Sequence, residues 1–133
     1  MIVVLDASVL IAFFDGADAH HQRSKGLLAE VAGDDLVVSS ITLAELLVGP
    51  ARGGEGQMDS ALGALARLEV CEERFPEDAA VQLAGLRAET MLKLPDCCVL
   101  LAARTAGADS VATFDGRLAQ VVKAQGLRVE GEA

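Results

Sequence analysis

The sequence predicts an α/β fold: a three-layer α/β/α sandwich around a mainly parallel central sheet. Two observations carry this. Short β-rich runs alternate with helical stretches along the whole chain, the pattern of strands joined by crossover helices. The run 97–106 is almost wholly apolar, as expected of a helix buried against a sheet.

Each element has a local reason. Residues 2–5 form a short β-rich first strand, and 8–14 an apolar first helix closed by Asp15-Gly16-Ala17-Asp18. Leu27, Leu28 and Val31 stand at helical spacing in a second helix over about 19–32, broken by Gly33-Asp34-Asp35. Leu36-Val37-Val38 is the second strand. Ser39 or Ser40 caps a helix over 41–48, and Gly49-Pro50 is its expected stop. Gly53, Gly54 and Gly56 mark a loop before a helix that ends near Leu68, and 69–72 is a weak third strand. Pro76 opens a long helix reaching Met91. Leu94-Pro95-Asp96 ends it and starts the next, since proline suits a first helical turn and cannot continue a previous one. Gly107 closes that helix. Residues 110–113 are strand four, Asp115 caps a helix to about Gln125, 127–129 are a last strand, and 130–133 a frayed tail.

The chain has 133 residues, read as one domain over 1–133, and 52% of them are hydrophobic, enough for a sizeable core. No apolar run is long enough for a membrane helix, and no basic leader precedes Asp6, so a cytoplasmic location is expected. Cys71, Cys97 and Cys98 lack the spacing of a disulfide frame or zinc site and read as small buried hydrophobes. The net charge of −9 is unfavourable for sequence-independent nucleic-acid binding, which runs on Lys and Arg, but suits a cation or a basic partner.

Four of the 20 acidic residues stand out by context. Asp6 ends strand one after four apolar residues. Glu45 lies inside the apolar helix Thr42-Leu43-Ala44-Glu45-Leu46-Leu47. Asp96 opens the most apolar helix, and Asp115 follows strand four. Charge among apolar groups is costly unless it is paired or metal-bound. No Lys or Arg lies within several residues of Asp6 or Glu45, although Arg104 and Arg117 could approach Asp96 and Asp115. A hard divalent cation would relieve the repulsion and supply phosphodiester hydrolysis. Each acid also has a plainer reading: Asp6, Asp96 and Asp115 as helix caps, Glu45 as a surface residue.

The stretches Val4-Leu5-Asp6-Ala7-Ser8-Val9-Leu10, Ser40 to Glu45-Leu46, Leu94-Pro95-Asp96 with Leu100-Leu101-Ala102, and Ala112-Thr113-Phe114-Asp115 with Leu118 span nearly the whole chain in one order. In that order they resemble the PIN-domain ribonucleases, and within them the VapC-type toxins of VapBC toxin–antitoxin pairs. The resemblance implies a metal pocket of Asp6, Glu45, Asp96 and Asp115, holding Mg²⁺ or Mn²⁺ and cutting RNA by a metal-activated water. It places Thr113 and Ser8 beside the pocket, although Ser8 reads equally as a helix cap. It implies a homodimer, a cognate antitoxin, and tRNA, rRNA or mRNA as substrate.

Arg87 and Lys93 are candidate RNA contacts, with Arg23, Lys25 and Arg52 behind them; the plainer reading of all five, as solvated helix charges, is the favoured one. Adjacent His20 and His21 point different ways on a helix and suit a surface or helix-start role. Two rivals remain. A phosphoaspartate enzyme of the haloacid-dehalogenase kind wants a second Asp two residues after the nucleophile, where Ser8 stands, and a receiver domain wants a Lys after its last strand. A non-catalytic PIN-like module binding RNA or protein would be expected to have lost one of the acids.

Overall fold

The computed structural model describes residues 1–132. Among them, β1 (Ile2–Leu5), β2 (Asp35–Ser39), β3 (Val70–Glu73), β4 (Ser110–Ala112) and β5 (Arg128–Glu130) form one sheet ordered β3-β2-β1-β4-β5. Every pairing is parallel; Val3 stands opposite Leu36 on one side and Ser110 on the other. The described helices are α1 (Ala7–Phe14), α2 (His21–Glu30), α3 (Ser40–Gly53), α4 (Glu55–Arg67), α5 (Ala79–Thr90), α6 (Leu94–Ala106) and α7 (Gly116–Ala124).

Strand alternation sorts the core into two layers, because successive side chains point to opposite faces. Val3, Leu5, Leu36, Val38 and Ala112 pack with α1 to α4. Val4, Val37 and Val111 pack with α5, α6 and α7, whose Leu86, Leu101 and Leu118 are all but inaccessible. Each such leucine contributes about 1.5–3 kcal/mol by leaving water. The three-layer, parallel-sheet expectation holds. From β1 the chain winds outward through β2 and β3, then returns to β4 and β5 on β1's other side. The order therefore reverses between β1 and β4, where open parallel sheets place their ligand crevice.

The boundaries differ from expectation at three places. First, Gly49-Pro50 does not stop α3, which runs on to Gly53 with Pro50 inside it. Pro50 removes a single N–H near the helix end, and packing against α4 holds the last turn. The break falls at Gly54, whose φ of 99° disfavours any side chain, and α4 starts at the next residue; the expected glycine loop is one residue long. Second, α5 begins at Ala79 because Pro76 to Asp78 form a turn, closed by Ala79 N–H donating to the Pro76 carbonyl at 3.1 Å. Third, Glu130 belongs to β5 rather than to a tail: its carbonyl accepts from Thr113 N–H at 3.1 Å, and Glu132 pairs with Lys123 at 2.6 Å. Of the expected tail, Ala133 lies outside the described residues. None of the described helices is long and apolar enough to cross a membrane.

Ser39 rather than Ser40 is the cap of α3. Its buried Oγ accepts from Thr42 N–H at 3.1 Å and donates to Thr42 Oγ1 at 3.2 Å. Ser39→Ala should cost about 1–2 kcal/mol, read in urea denaturation as a lower midpoint with an unchanged slope.

Candidate functional site

The site is built where β1 and β4 end. Asp6 is the residue after β1; its N–H donates to the Ala112 carbonyl on β4 at 2.9 Å, tying the two strand ends together. Its side chain is largely buried and does not cap α1. Instead both donors near it converge on one oxygen. Thr113 Oγ1 donates to Asp6 Oδ2 at 2.7 Å and Ser8 Oγ donates to the same atom at 2.8 Å. Each hydroxyl is itself oriented by a backbone N–H: Phe114 N–H donates to Ser8 Oγ at 3.1 Å, and Asp115 N–H to Thr113 Oγ1 at 3.0 Å. The rotamer of Asp6 is thus set by the chain that follows β4. Among the described residues Asp6 Oδ1 receives no protein hydrogen bond, and it is not among the buried atoms left without a partner. That oxygen therefore keeps contact with solvent and is free to bind something else.

Asp96 lies in the first turn of α6, placed by Pro95. It makes no capping hydrogen bond, so its plainer reading as a cap finds no support in the geometry. Burial pushes its carboxyl up to about 6, with further rises from Asp6, Asp115 and Glu45, against a small opposing effect of Lys93. Glu45, on the exposed side of α3, is also raised, first by partial desolvation and then by Asp6. These couplings bring the four acids into one electrostatic group. Among the described residues the ion pairs are Met1 with Asp34, Lys123 with Glu132 and Arg128 with Glu130, and none reaches the four. Arg104 donates to Gln82 Oε1 instead.

Asp115 differs. Its Oδ1 accepts from Arg117 N–H at 2.9 Å and Leu118 N–H at 3.2 Å, so it does cap α7. No three His, Cys, Asp or Glu side chains among the described residues already stand in the geometry of a shared ion. The donor chemistry nevertheless fits a hard divalent cation: carboxylate oxygens throughout, one of them held by two hydroxyls, and two acids whose charge the surroundings resist.

Of the basic candidates, Arg87 directs Nη1 at the carbonyls of Met91 and Leu92, 3.3 and 2.7 Å away. It thereby secures the α5–α6 turn, where Met91 takes a left-handed φ of 62°. Lys93 is exposed beside Asp96. His20 and His21 do sit at the start of α2: His21 Nδ1 contacts the Ala12 carbonyl at 2.8 Å, joining α1 to α2, while His20 packs on Phe114. Sequence reasoning missed two features. One is the role of Phe114 N–H, invisible because backbone groups carry no sequence signal. The other is the contact of Arg23 with Phe114, 91 positions apart in sequence.

The PIN domain family model matches residues 3–124 of this chain. The chain belongs to the PIN domain family. Solved structures agree with it across nearly its full length. The Mycobacterium tuberculosis toxin VapC20, described as cleaving the sarcin–ricin loop, is 24% identical over 94% of this chain and 95% of its own, with a TM-score of 0.72. A toxin–antitoxin complex from Klebsiella pneumoniae is 26% identical over 85% and 86%, TM-score 0.70. VapBC2 from Rickettsia felis, bound to a fragment of its promoter DNA, is 22% identical over the whole of both chains, TM-score 0.69. No significant match is found among curated proteins.

In this PIN domain, burial of Asp96 together with repulsion from its neighbouring acids makes a pH prediction. A carboxyl whose pKa is raised from 3.8 to about 6 on folding contributes most below the lower value and loses stability as pH rises through the upper one. In chelator, Asp96→Asn should therefore be more stable than the parent above pH 6, by about 1–2 kcal/mol after solvent screening. The gap should shrink as pH falls and vanish below about pH 4. Thermal melts across that range would expose the opposite sign if Asp96 stabilises α6.

Proposed function

We propose that this PIN domain is a divalent-metal-dependent ribonuclease and the toxin of a toxin–antitoxin pair, with Mg²⁺ or Mn²⁺ as its ion. The observation that carries this is Asp6: a carboxylate fixed through one oxygen by Ser8 and Thr113, its other oxygen open to solvent, in a group of acids with no ion-pair partner. Asp6 and Asp96 are the direct ligands on this reading. Glu45 on α3, and Asp115 with the oxygen that its cap leaves unused, would complete the site through waters or a second ion. Once bound, the cation supplies the charge that polarises a phosphoryl oxygen and makes a water acidic enough to attack phosphorus.

The protein's own residues do the remaining work. Ser8 and Thr113 hold Asp6 in one rotamer, so no reorganisation is needed there when negative charge builds up on the phosphoryl group. On this reading Lys93, exposed beside Asp96, contacts a backbone phosphate; Arg87 offers only the part of its guanidinium not bound to the α5–α6 turn. Structured RNAs are the expected substrates, in line with the sarcin–ricin-loop cleavage named for VapC20. The neighbours solved as toxin–antitoxin complexes support an antitoxin partner. A groove of about 510 Å³ between α1, α3 and α4, lined by Phe14, Leu46, Pro50, Gln57, Ala61 and Ala64, suits an amphipathic segment of such a partner. The reading includes a single domain over 1–133, a homodimer and a cytoplasmic location.

One observation favours a non-catalytic module instead. Asp115 spends an oxygen on α7, and the acids do not already stand in ligand contact. Cleavage decides between the two readings. With Mn²⁺ the protein should cut a mixed cellular RNA, and chelator should stop it. Asp6→Asn and Asp96→Asn should each reduce the rate by at least about 100-fold, the scale of losing a charge-stabilising group. Cutting at the parental rate by either variant would exclude the metal-dependent reading.

A further inference from the structure

Phe114 sits between two residues of the site, Thr113 and Asp115, and its backbone N–H holds Ser8. Its ring packs against Arg23 of α2 and His20, the residue before that helix. There the Arg23 guanidinium carbon lies 4.6 Å from the ring centroid, in cation–π range, and the His20 ring centroid lies 5.0 Å away. Arg23 Nη1 donates to His20 Nδ1 at 3.3 Å, and Arg23 Nη2 donates to the Gly131 carbonyl. Because Arg can only donate, Nδ1 of His20 is the acceptor and its Nε2 carries the proton.

Gly131 completes the clamp. At a φ of 98° it lies so close that a Cβ there would stand 3.2 Å from both Phe114 Cε1 and the Thr113 carbonyl. Ring, guanidinium and imidazole are thus held against one another beside the acids. Yet His20 and Arg23 are both exposed. Two grooves, of about 180 and 220 Å³, open on either side of Arg23 and Phe114; the first also touches Thr113, Asp115 and Gly116. The carboxylates lining these grooves are Asp115, Glu30 and Glu132. Asp115 spends Oδ1 on α7 and Glu132 is paired with Lys123, while Arg23 is in no ion pair among the described residues.

In a chain of net charge −9, RNA is repelled in general and must be caught locally. A guanidinium pinned by an aromatic ring and a carbonyl, with N–H donors to spare, loses little further entropy on taking an anion. We propose that His20, Arg23 and Phe114 form a subsite for a backbone phosphate of the RNA strand, flanking the phosphate at the acids. This deepens the ribonuclease reading and rests on it. Arg23 is a binding residue on this account, and Phe114 positions it.

The test separates the two claims. Binding of a labelled mixed-sequence single-stranded RNA is measured in EDTA, where nothing is cut, between about 50 and 200 mM salt. Cleavage of the same RNA with Mn²⁺ is measured separately. Arg23→Ala should weaken binding about fivefold to tenfold and lower the salt slope by about one. In cleavage it should raise KM with kcat little changed. Phe114→Leu keeps an apolar side chain but removes the ring face, and should weaken binding about twofold to threefold by releasing Arg23. Arg67→Ala, on α4, controls for loss of charge alone and should match the parent. If the parent binds RNA, Arg23→Ala binds it less well and nothing cuts, the subsite stands and the nuclease reading falls. If the parent cuts RNA and Arg23→Ala matches it in KM and salt slope, the subsite falls and the nuclease reading stands. A lower melting temperature for Arg23→Ala with unchanged RNA handling likewise overturns the subsite, leaving a clamp for the segment around Gly131.

Discussion

Like charge concentrated without an ion-pair partner among the described residues is the constraint on which the rest of this structure depends. Asp6, Glu45, Asp96 and Asp115 form one electrostatic group, and no described Lys or Arg pairs with any of them. Such an arrangement costs folding free energy, and the cost shows at Asp96, which burial and three neighbouring acids push up to about 6. A fold does not keep such a cluster for stability. A bound cation, as proposed, would offset that cost.

The sheet explains why the acids meet there. Strand order reverses between β1 and β4, so helices leave the two strand ends in opposite layers and a crevice opens between them. Asp6 and Thr113 face each other across that reversal. The backbone after β4 then does three things in three residues. Thr113 holds Asp6, Phe114 N–H holds Ser8, and Asp115 caps α7. A displacement of this short segment would reach Asp6, the acid cluster and the Arg23 cluster together.

Much of this was legible in the sequence because it depends on local chemistry. Pro95 marked the start of α6, Gly107 its end and Asp115 the cap of α7, since each residue type has few conformational uses. The strands were legible as short apolar runs between breakers. Pro50 misled, because whether a helix survives a proline in its last turn depends on packing with α4. At the site, context singled out the four acids, but the physics of sequence left ligand and cap in balance. Geometry separates them: Asp6 and Asp96 cap nothing, whereas Asp115 does. The Phe114–Arg23 contact had no local signature, being made between distant elements.

The most direct measurement is calorimetric titration of Mn²⁺ into the protein, in buffers of differing ionisation enthalpy. If the acids form a cation site, binding must displace the proton that burial keeps on Asp96. A carboxyl near pKa 6 should release roughly half a proton per ion at pH 6 and close to none at pH 8, and Asp96→Asn should release clearly less at pH 6, where only the raised Glu45 carboxyl remains to give one up. Absence of Mn²⁺ binding, or binding without proton release at pH 6, would contradict the account.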